Sequence, residues 1–270
     1  MKLVMTLLVR DEEDVLEANL AHHYAQGVDF VIATDNGSVD RTVAILEVEE
    51  RAGRLRLIHK PEDTYAQHRW VTRMARLAAT DHGADWVINN DADEFWFARE
   101  GDLASTLASV AEGVDVVVAR RHNLIARPDG QPMTVRQTAP LQHPGLGDGP
   151  LPPKVAHRAY PEITVLQGNH EVGGLSGRSL DDGRIDILHV PVRTYAQFAN
   201  KIAKGGAAYA RNTELPKEVG HQWRRLHELQ QDGTFDEEWA RLLLSEDEIR
   251  EGLADGTLVE DRRLEGLLGH

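Results

Sequence analysis

Apolar and polar residues follow two different patterns along the first hundred positions of the chain. Short apolar runs predict four strands, over Leu3–Val9, Phe30–Thr34, Leu55–His59 and Trp86–Asn90. Between them, apolar residues recur every three or four positions and predict three helices, over Glu13–Gln26, from Ser38 to about Gly53, and over Thr64–His82. This β-α-β order predicts an α/β domain with a mostly parallel sheet and helices on both faces.

The second half of the chain is organised differently. A helix within Gly101–Gly113 and a fifth strand over Asp115–Ala119 are expected, and seven of the eleven prolines then fall within Ala126–Pro153. We interpret residues 126–153 as a long functional loop. From Leu215 onwards the pattern predicts helices. We therefore expect a main domain over residues 1–212 and a C-terminal helical extension over residues 213–270.

The predicted C-terminal helices carry two start signals and one apolar stripe. Capping boxes are expected at Thr234/Glu237 and Ser245/Glu248. The stripe consists of Trp239, Leu242 and Leu243. Because the stripe is narrow, we expect these helices to dock on the main domain rather than stand alone.

Composition excludes several classes of protein. The 270 residues include 44 acidic and 30 basic side chains, a formal net charge of −14, which argues against general nucleic-acid binding. No cysteine is present, so disulfides, thiolate metal sites and cysteine nucleophiles are excluded. The apolar N-terminal run lacks a cleavage site, and no stretch approaches the ~20 apolar residues of a membrane span. A soluble cytoplasmic protein is the expectation.

Polar clusters follow three of the predicted strands: "RDEED", "TDNGS" and "NDADE". The carboxyl ends of parallel strands meet at one edge of a sheet, where ligands bind, so these clusters should converge. The third cluster packs Asp91, Asp93 and Glu94 into four positions after an apolar strand. A solvated turn also produces Asp-x-Asp, but Phe95 and Trp96 should hold this one against the core. A divalent cation would relieve the carboxylate repulsion, which favours a metal site.

The turn after the first strand separates the candidate nucleotide-binding classes. It reads "RDEEDVLEANL" and lacks the G-x-G-x-x-G of a dinucleotide-binding domain. It also lacks the glycine-rich loop with Arg and Lys of a sugar-activating nucleotidyltransferase. Phosphatases with an aspartate nucleophile place Asp-x-Asp after the first strand, which does not occur here.

Two stretches, "LLVRDEEDVLEANLAHHYAQGVDFVIATDNGSVDRTVAIL" and "DWVINNDADEFW", resemble the family 2 glycosyltransferases of the DxDEF type. The resemblance covers residues 3–97 and continues loosely to about Gly206 through "PKVAHR", "GNHE" and "LHVPVRTYAQFANK". It implies the nucleotide-diphospho-sugar transferase (GT-A) fold and inverting transfer of a sugar, as by a hexosyltransferase. The family more often has Asn-Glu where this chain has Asp11-Glu12, which leaves the nucleotide contact open.

The resemblance also implies roles for individual residues. Asp35 is similar to the carboxylate that contacts the base or ribose of the nucleotide, and Arg10 and Glu12 would border the same pocket. Asp91 and Asp93 resemble the DxD pair, which faces the ribose and a divalent ion, Mn²⁺ or Mg²⁺. An Asx turn is the competing explanation for Asp35.

Histidine and basic residues supply the remaining candidates for the diphosphate region. His189 is the preferred third metal ligand, because Lys201 follows it on a predicted helix, and His170 is the alternative. Lys154 and Arg158 are candidate cations for the diphosphate. At a spacing of four residues they share a face of a helix or of a strand.

Inverting transfer needs a carboxylate that removes the proton of the acceptor hydroxyl. Glu171 in "GNHEVGG" is the first candidate for this base, and Asp181 or Asp182 in "SLDDGR" is the second. The acceptor is open between a sugar, a lipid-linked molecule and a small molecule. Because transfer must keep water from the donor, the loop over residues 126–153 is a candidate lid. A nucleotidyltransferase-like enzyme and a non-catalytic nucleotide- or carbohydrate-binding protein remain the alternatives.

Overall fold

The computed structural model describes residues 1–60, 67–127, 133–144, 146–147, 149–211 and 220–268. The chain separates into two compact units. The first is built from Met1–Glu62, Ala66–Arg121 and Pro152–Leu188, and the second mainly from His122–Leu151 and His189–His270. The expected boundary between residues 212 and 213 lies outside the described residues.

Strands and helices alternate in the first part of the chain and helices dominate the last. The strands are β1 (Leu3–Val9), β2 (Phe30–Asp35), β3 (Leu55–His59), β4 (Trp86–Asp91), β5 (Glu94–Ala98), β6 (Val114–Asn123), β7 (Val135–Gln137), β8 (Lys154–Arg158), β9 (Thr164–Val165), β10 (Val172–Gly173), β11 (Arg178–Leu180), β12 (Ile185–His189) and β13 (Leu258–Glu260). The helices are α1 (Leu16–Ala25), α2 (Thr42–Arg51), α3 (Gln67–Thr80), α4 (Leu103–Ala108), α5 (Tyr195–Arg211), α6 (His221–Gln231), α7 (Phe235–Leu242) and α8 (Glu246–Asp255).

The predicted strands and helices of the first hundred residues are confirmed, with small changes at their ends. The helices are shorter than their patterns. Helix α1 begins at Leu16 rather than Glu13, and the expected start of α3 at Thr64 lies outside the described residues. Strand β5 was missed, because its short apolar run follows the carboxylate cluster and resembles an anchor for a turn. Phe95 and Trp96, on this strand, are fully buried.

The main sheet has the order β3-β2-β1-β4-β8-β6-β12-β5, with β11 pairing β6. Strands β1 to β4 are parallel to one another, and β8 is antiparallel to both of its neighbours. Val9 pairs with Asp35 on β2, and Leu8 pairs with Asp91 on β4. With strands ~4.8 Å apart, the two aspartates lie about 10 Å apart across β1. The predicted convergence of the polar clusters is confirmed.

Helix α3 covers one face of this sheet. Its stripe of Val71, Met74, Ala75 and Ala78 is buried against the strands, including Val4 and Val87. These helix positions are three or four residues apart, which is the spacing that places side chains on one face of an α-helix. Burial of this apolar surface stabilises the packing of α3 on the sheet by ~25 cal/mol per Å².

The second unit has a helical core of its own. Phe198 and Ile202 of α5 pack with Leu226 of α6 and with Phe235 and Leu242 of α7, and Trp239 and Leu243 lie against them. The apolar stripe therefore packs on α5 within the second unit, and the docking of these helices on the main domain stays a prediction.

Only one of the two predicted capping boxes forms. Ser245 caps α8, since its hydroxyl accepts from the Glu248 amide and Glu248 accepts from the Ser245 amide. The box at Thr234 is wrong. The Thr234 hydroxyl donates to the Leu229 carbonyl at 3.4 Å and does not cap α7.

The described part of the proline-rich segment is not a plain loop. Strand β7 pairs antiparallel with β13, and Leu141 forms a bridge with Pro150. Val135 of β7 is buried with Ile249 of α8 and Leu258 of β13, which accounts for the pairing. Residues 128–132, 145 and 148 lie outside the described residues, and the lid role stays a prediction. No helix in the described ranges is both long and apolar enough to cross a membrane.

Candidate active site at the carboxyl edge of the sheet

The loop after β4 is held from below by Asn19 of α1, which is fully buried. The Asn19 Nδ2 donates to the carbonyl oxygens of Ala92 and Glu94 at 2.9 and 2.8 Å. Asn19 Oδ1 accepts from the side-chain Nδ2 of Asn90 at 3.1 Å, and the Trp96 indole donates to Asn90 Oδ1 at 2.9 Å. Asn19 was missed from the sequence, because a single asparagine on a helix gives no pattern that points to a loop 73 residues away.

Two carboxylates of this loop, Asp91 and Glu94, form ion pairs with two cations of the chain itself. The Lys154 Nζ lies 2.6 Å from Asp91 Oδ2 and 3.3 Å from Glu94 Oε2. Arg121 donates to Glu94 Oε1 at 2.9 Å. Lys154 and Glu94 are fully buried, whereas the Asp91 side chain is 31% exposed. Glu94 therefore supports the loop, and Lys154 and Arg121 relieve the repulsion between Asp91 and Glu94.

A hairpin formed by β9 and β10 reaches Asp91 from another direction. Asn169 at its tip donates Nδ2 to Asp91 Oδ1 at 3.2 Å and is 1% exposed. Exchanging the Asn169 side-chain oxygen and nitrogen would place the oxygen against the Asp91 carboxylate, which is unfavourable. The nitrogen therefore faces Asp91, and Asn169 Oδ1 accepts no hydrogen bond from the described residues. The backbone of Asn169 has a φ of +61°, a left-handed conformation that asparagine adopts more readily than most residues.

His170 belongs to the same cluster. Its Nδ1 lies 2.9 Å from the Pro153 carbonyl, and because a carbonyl only accepts, Nδ1 carries the hydrogen. Burial, reinforced by the charges of Lys154 and Arg121, lowers the pKa of His170 to about 4, although Pro153 and Asp91 act in the opposite direction. The imidazole is therefore neutral at pH 7, and Nε2 is the nitrogen that could take a ligand.

The loops after β1 and β2 are joined to each other. Asp35, 4% exposed, accepts from the amides of Gly37 and Ser38 at 3.1 and 3.2 Å, which is the Asx turn considered for it. The Ser38 hydroxyl accepts from the Asp11 amide, and Asp11 Oδ1 accepts from the Val39 amide at 2.8 Å. An ionised carboxylate has about four acceptor positions, so Asp35 keeps capacity for a nucleotide.

The position of Asp11 suits either aspartate or asparagine. Its φ is +55°, and its side chain accepts a backbone hydrogen bond. Asn and Asp both tolerate this conformation and both offer Oδ1, so either residue makes the same loop contact. Arg10 and Glu12 flank it, and the Glu12 amide donates to Thr42 at 2.9 Å. Ser38 does not cap α2, which begins at Thr42.

Two of the candidate cations for the diphosphate, Arg158 and Lys201, contact aromatic rings. Arg158 stacks over Trp86 at 4.4 Å and donates to the carbonyls of Val110 and Val114. Arg158 pairs with Trp86, the first residue of β4, whereas the Lys154 side chain contacts Asp91, the last, which is ~16 Å further along that strand. Lys201 in the second unit lies over the Trp223 ring at 5.9 Å.

The three candidates for the base differ in what surrounds them. Asp181 forms an exposed ion pair with Arg120 at 3.1 Å. Asp182 pairs with Arg184, whose hydrogen bond lowers the pKa of Asp182. Glu171 is exposed in the loop between β9 and β10, and no side chain in the described ranges forms a hydrogen bond or ion pair with its carboxylate.

His189 lies in the second unit, where its Nδ1 is 2.7 Å from Asn123 Oδ1. Asp93 is 4% exposed at the carboxyl edge of the first unit. Across the part of the chain that the structure describes, no three His, Asp or Glu side chains are grouped so that they could hold a metal ion by themselves. A divalent ion bound at the two aspartates would take its other ligands from substrate or water, as Mg²⁺ usually does.

A mostly parallel sheet with carboxylates at its carboxyl edge is the architecture of the GT-A glycosyltransferases. The model of the family described as "Glycosyl transferase family 2" matches residues 7–143, just over half of the chain. The chain belongs to this family, and the resemblance seen in the sequence is confirmed. No curated protein matches it.

Solved structures resemble the chain at low identity. TarS from S. aureus, in complex with UDP-GlcNAc, is 12% identical, with 95% of this chain and 93% of TarS covered and a TM-score of 0.47. The mannosyltransferase PcManGT from Pyrobaculum calidifontis, with GDP-Man and Mn²⁺, is 15% identical, with 94% and 79% covered and a TM-score of 0.43. Glucosyl-3-phosphoglycerate synthase from Mycobacterium tuberculosis, with Mn²⁺ and UDP, is 21% identical, with 45% and 44% covered and a TM-score of 0.31.

Proposed function

We propose that this protein transfers a hexose from a nucleoside-diphosphate sugar to an acceptor hydroxyl with inversion, assisted by a divalent ion, Mn²⁺ or Mg²⁺. The observation that carries the proposal is that Asp35 and Asp91 stand at the carboxyl ends of β2 and β4, the two strands that flank β1. Family membership supports the transferase class. The donors named with TarS and PcManGT, UDP-GlcNAc and GDP-Man, are examples of the proposed substrate class.

The donor would lie along this edge of the sheet. Asp35, with Arg10 and Glu12 beside it, would contact the nucleoside, since a buried carboxylate with spare acceptor positions suits ribose hydroxyls or a base N–H. The diphosphate would then point towards Asp91 and Asp93. The separation of about 10 Å across two strand spacings suits a ligand with a nucleoside at one end and a sugar at the other.

The carboxylate oxygens of Asp91 and Asp93 are suitable ligands for Mn²⁺ or Mg²⁺. When bound, the ion would offset the charge that develops on the leaving diphosphate. A third protein ligand stays a prediction from the sequence, with His189 preferred and His170 as the alternative, because the described residues contain no group of three such side chains around one point.

The base is assigned to Glu171. The hairpin that carries Glu171 contacts Asp91 through Asn169. Glu171 follows Asn169 by two residues in the chain and is therefore close to the proposed donor site. Asp181 and Asp182 are each paired with an arginine, and the lowered pKa of Asp182 makes it a poorer proton acceptor. Glu171 would take the proton of the acceptor hydroxyl as its oxygen attacks the anomeric carbon opposite the departing diphosphate.

The test has two stages. UDP, GDP, CDP and dTDP are screened by thermal shift with Mn²⁺ and with EDTA, since a ligand of the folded state raises Tm. The matching sugar nucleotides are then offered with simple sugar acceptors, and products are identified by mass. Transferred sugar with a nucleoside diphosphate supports the proposal. Pyrophosphate release would indicate a nucleotidyltransferase, and binding without product would indicate a non-catalytic protein.

Asp93→Asn provides the internal control for this test. The substitution keeps the size of the side chain and removes its charge. We expect kcat to fall by ~10²-fold or more, which is the range for loss of one electrostatic contact to developing charge. A variant that turns over normally at saturating donor would show that the site is elsewhere.

A further inference from the structure

Lys154 has an unusual position for a cation beside a proposed metal site. It is fully buried at the start of β8, and its Nζ touches Asp91 Oδ2 at 2.6 Å. Glu94 lies 3.3 Å away and is itself neutralised by Arg121. Two carboxylates are thus balanced by two cations of the chain. Asp91 Oδ2 is already paired with the Lys154 ammonium.

We propose that Lys154 is the resident counter-ion of Asp91 and makes binding of a divalent ion depend on the nucleoside diphosphate. This inference rests on the donor site proposed above. A divalent ion arriving alone must displace the ammonium from Asp91. Lys154 and Arg121 would then share the single negative charge of Glu94, and the excess positive charge would repel the ion. An ion arriving with an anionic diphosphate brings its own compensation. The released Lys154 ammonium can then donate to a phosphate oxygen.

The surroundings allow the Lys154 side chain to turn while its backbone stays fixed. Arg121 Nε donates to the Pro152 carbonyl at 2.7 Å, and His170 donates to the Pro153 carbonyl at 2.9 Å. Both contacts hold the start of β8. Glu94 Oε2 lies 3.3 Å from the ammonium and accepts no hydrogen bond from any other described residue, so it can accept from Lys154 when the contact with Asp91 is lost.

A purely structural ion pair predicts a different result on substitution. Removing one partner of a buried pair leaves the other charge uncompensated, which lowers stability. Asp91 is 31% exposed, however, so a cation from solvent can replace the missing ammonium. Under the proposal, Lys154→Met therefore gains affinity for a divalent ion in the absence of nucleotide. A structural role alone predicts lower stability with unchanged metal affinity.

The experiment measures Mn²⁺ binding to the full chain from the loss of the electron paramagnetic resonance signal of free Mn²⁺. Wild type, Lys154→Met and Arg158→Met are titrated alone and with UDP or GDP. Arg158 is the matched control, since it is a cation on the same strand paired with the other end of β4. We expect wild type and Arg158→Met to bind Mn²⁺ at least tenfold more tightly with nucleotide. Lys154→Met should bind it about tenfold more tightly than wild type without nucleotide.

The outcomes separate this inference from the proposed function. If UDP or GDP raises Tm but Lys154→Met binds Mn²⁺ alone no better than wild type, Lys154 is a structural residue and the donor site stands. If no nucleotide raises Tm in any protein, the donor site fails and the nucleotide coupling fails with it. Should Lys154→Met not fold by circular dichroism, Lys154→Gln replaces it, because glutamine keeps a hydrogen-bond donor and removes the charge. The same gain in Mn²⁺ affinity is then required.

Discussion

The side-chain amide of Asn19 donates to the carbonyl oxygen of Glu94 at 2.8 Å, so helix α1 fixes the point where the carboxylate loop enters β5. This contact matters because the loop has no regular structure between β4 and β5. Its shape is set by α1 on one side and by Lys154 and Asn169 on the other.

Asn19→Leu should lower both stability and activity. The substitution leaves the carbonyls of Ala92 and Glu94 and the amide of Asn90 unpaired, and each buried unpaired group costs ~1–3 kcal/mol. Urea denaturation should show a loss of at least ~2 kcal/mol. Glu17→Ala, on the exposed side of the same helix, is the control and should be near neutral. Equal stability of the two variants would contradict the support role.

Glu171→Gln should reduce kcat by ~10²–10⁴-fold, the usual effect of losing a general base, and leave donor Kd unchanged. The exposed position of Glu171 makes a large effect on folding unexpected. Asp181→Asn and Asp182→Asn are measured beside it and should retain most of the rate. A near-normal kcat for Glu171→Gln would end this assignment, whatever the aspartate variants do.

Gly168→Ala should disturb His170. Gly168 has a φ of +78°, and an added Cβ would lie 2.7 Å from His170 Cδ2. Gly83→Ala is a matched control, because its φ is +60° and a Cβ there meets nothing within 4 Å. Both variants carry backbone strain of ~1–2 kcal/mol, but only Gly168→Ala should also weaken donor binding. Identical donor Kd values for the two variants would separate His170 from the donor site.

The protein should lose stability as the pH falls from 7 towards 4. Burial lowers the pKa of His23 to about 3 and that of His157 to about 4, so both are neutral when folded. In the unfolded chain they protonate near the ordinary histidine pKa of ~6.5. Their contribution is fully present above pH 6.5 and is lost as the pH falls towards the folded pKa. Each adds a slope of up to ~1.4 kcal/mol per pH unit.

Urea denaturation of wild type and His23→Gln between pH 5 and 7.5 measures this slope. The variant should show a smaller pH dependence by about one proton. His59→Gln, which changes an exposed histidine at the end of β3, is measured beside it as the control substitution. An unaltered slope in His23→Gln would mean that His23 does not couple folding to pH.

The sequence by itself determined the elements whose signals are local. Strands β1 to β4 and the parallel edge that brings Asp35 and Asp91 together followed from apolar periodicity, and the Ser245 cap followed from residues three positions apart. Such patterns work because burial of one face and satisfaction of the first helical amides depend on near neighbours in the chain.

Only the tertiary structure decided the electrostatics of the site. Asp91 meets Lys154 and Asn169, which are 63 and 78 residues away in the chain. These contacts depend on the antiparallel register of β8 and on the fold of the β9–β10 hairpin, and neither is expressed in local periodicity. The same register places Arg158 beside the start of β4 and brings the Lys154 side chain to its end, a difference that their shared face on a strand does not reveal. Charge balance arises from pairs distant in sequence, and for that reason it required the folded chain.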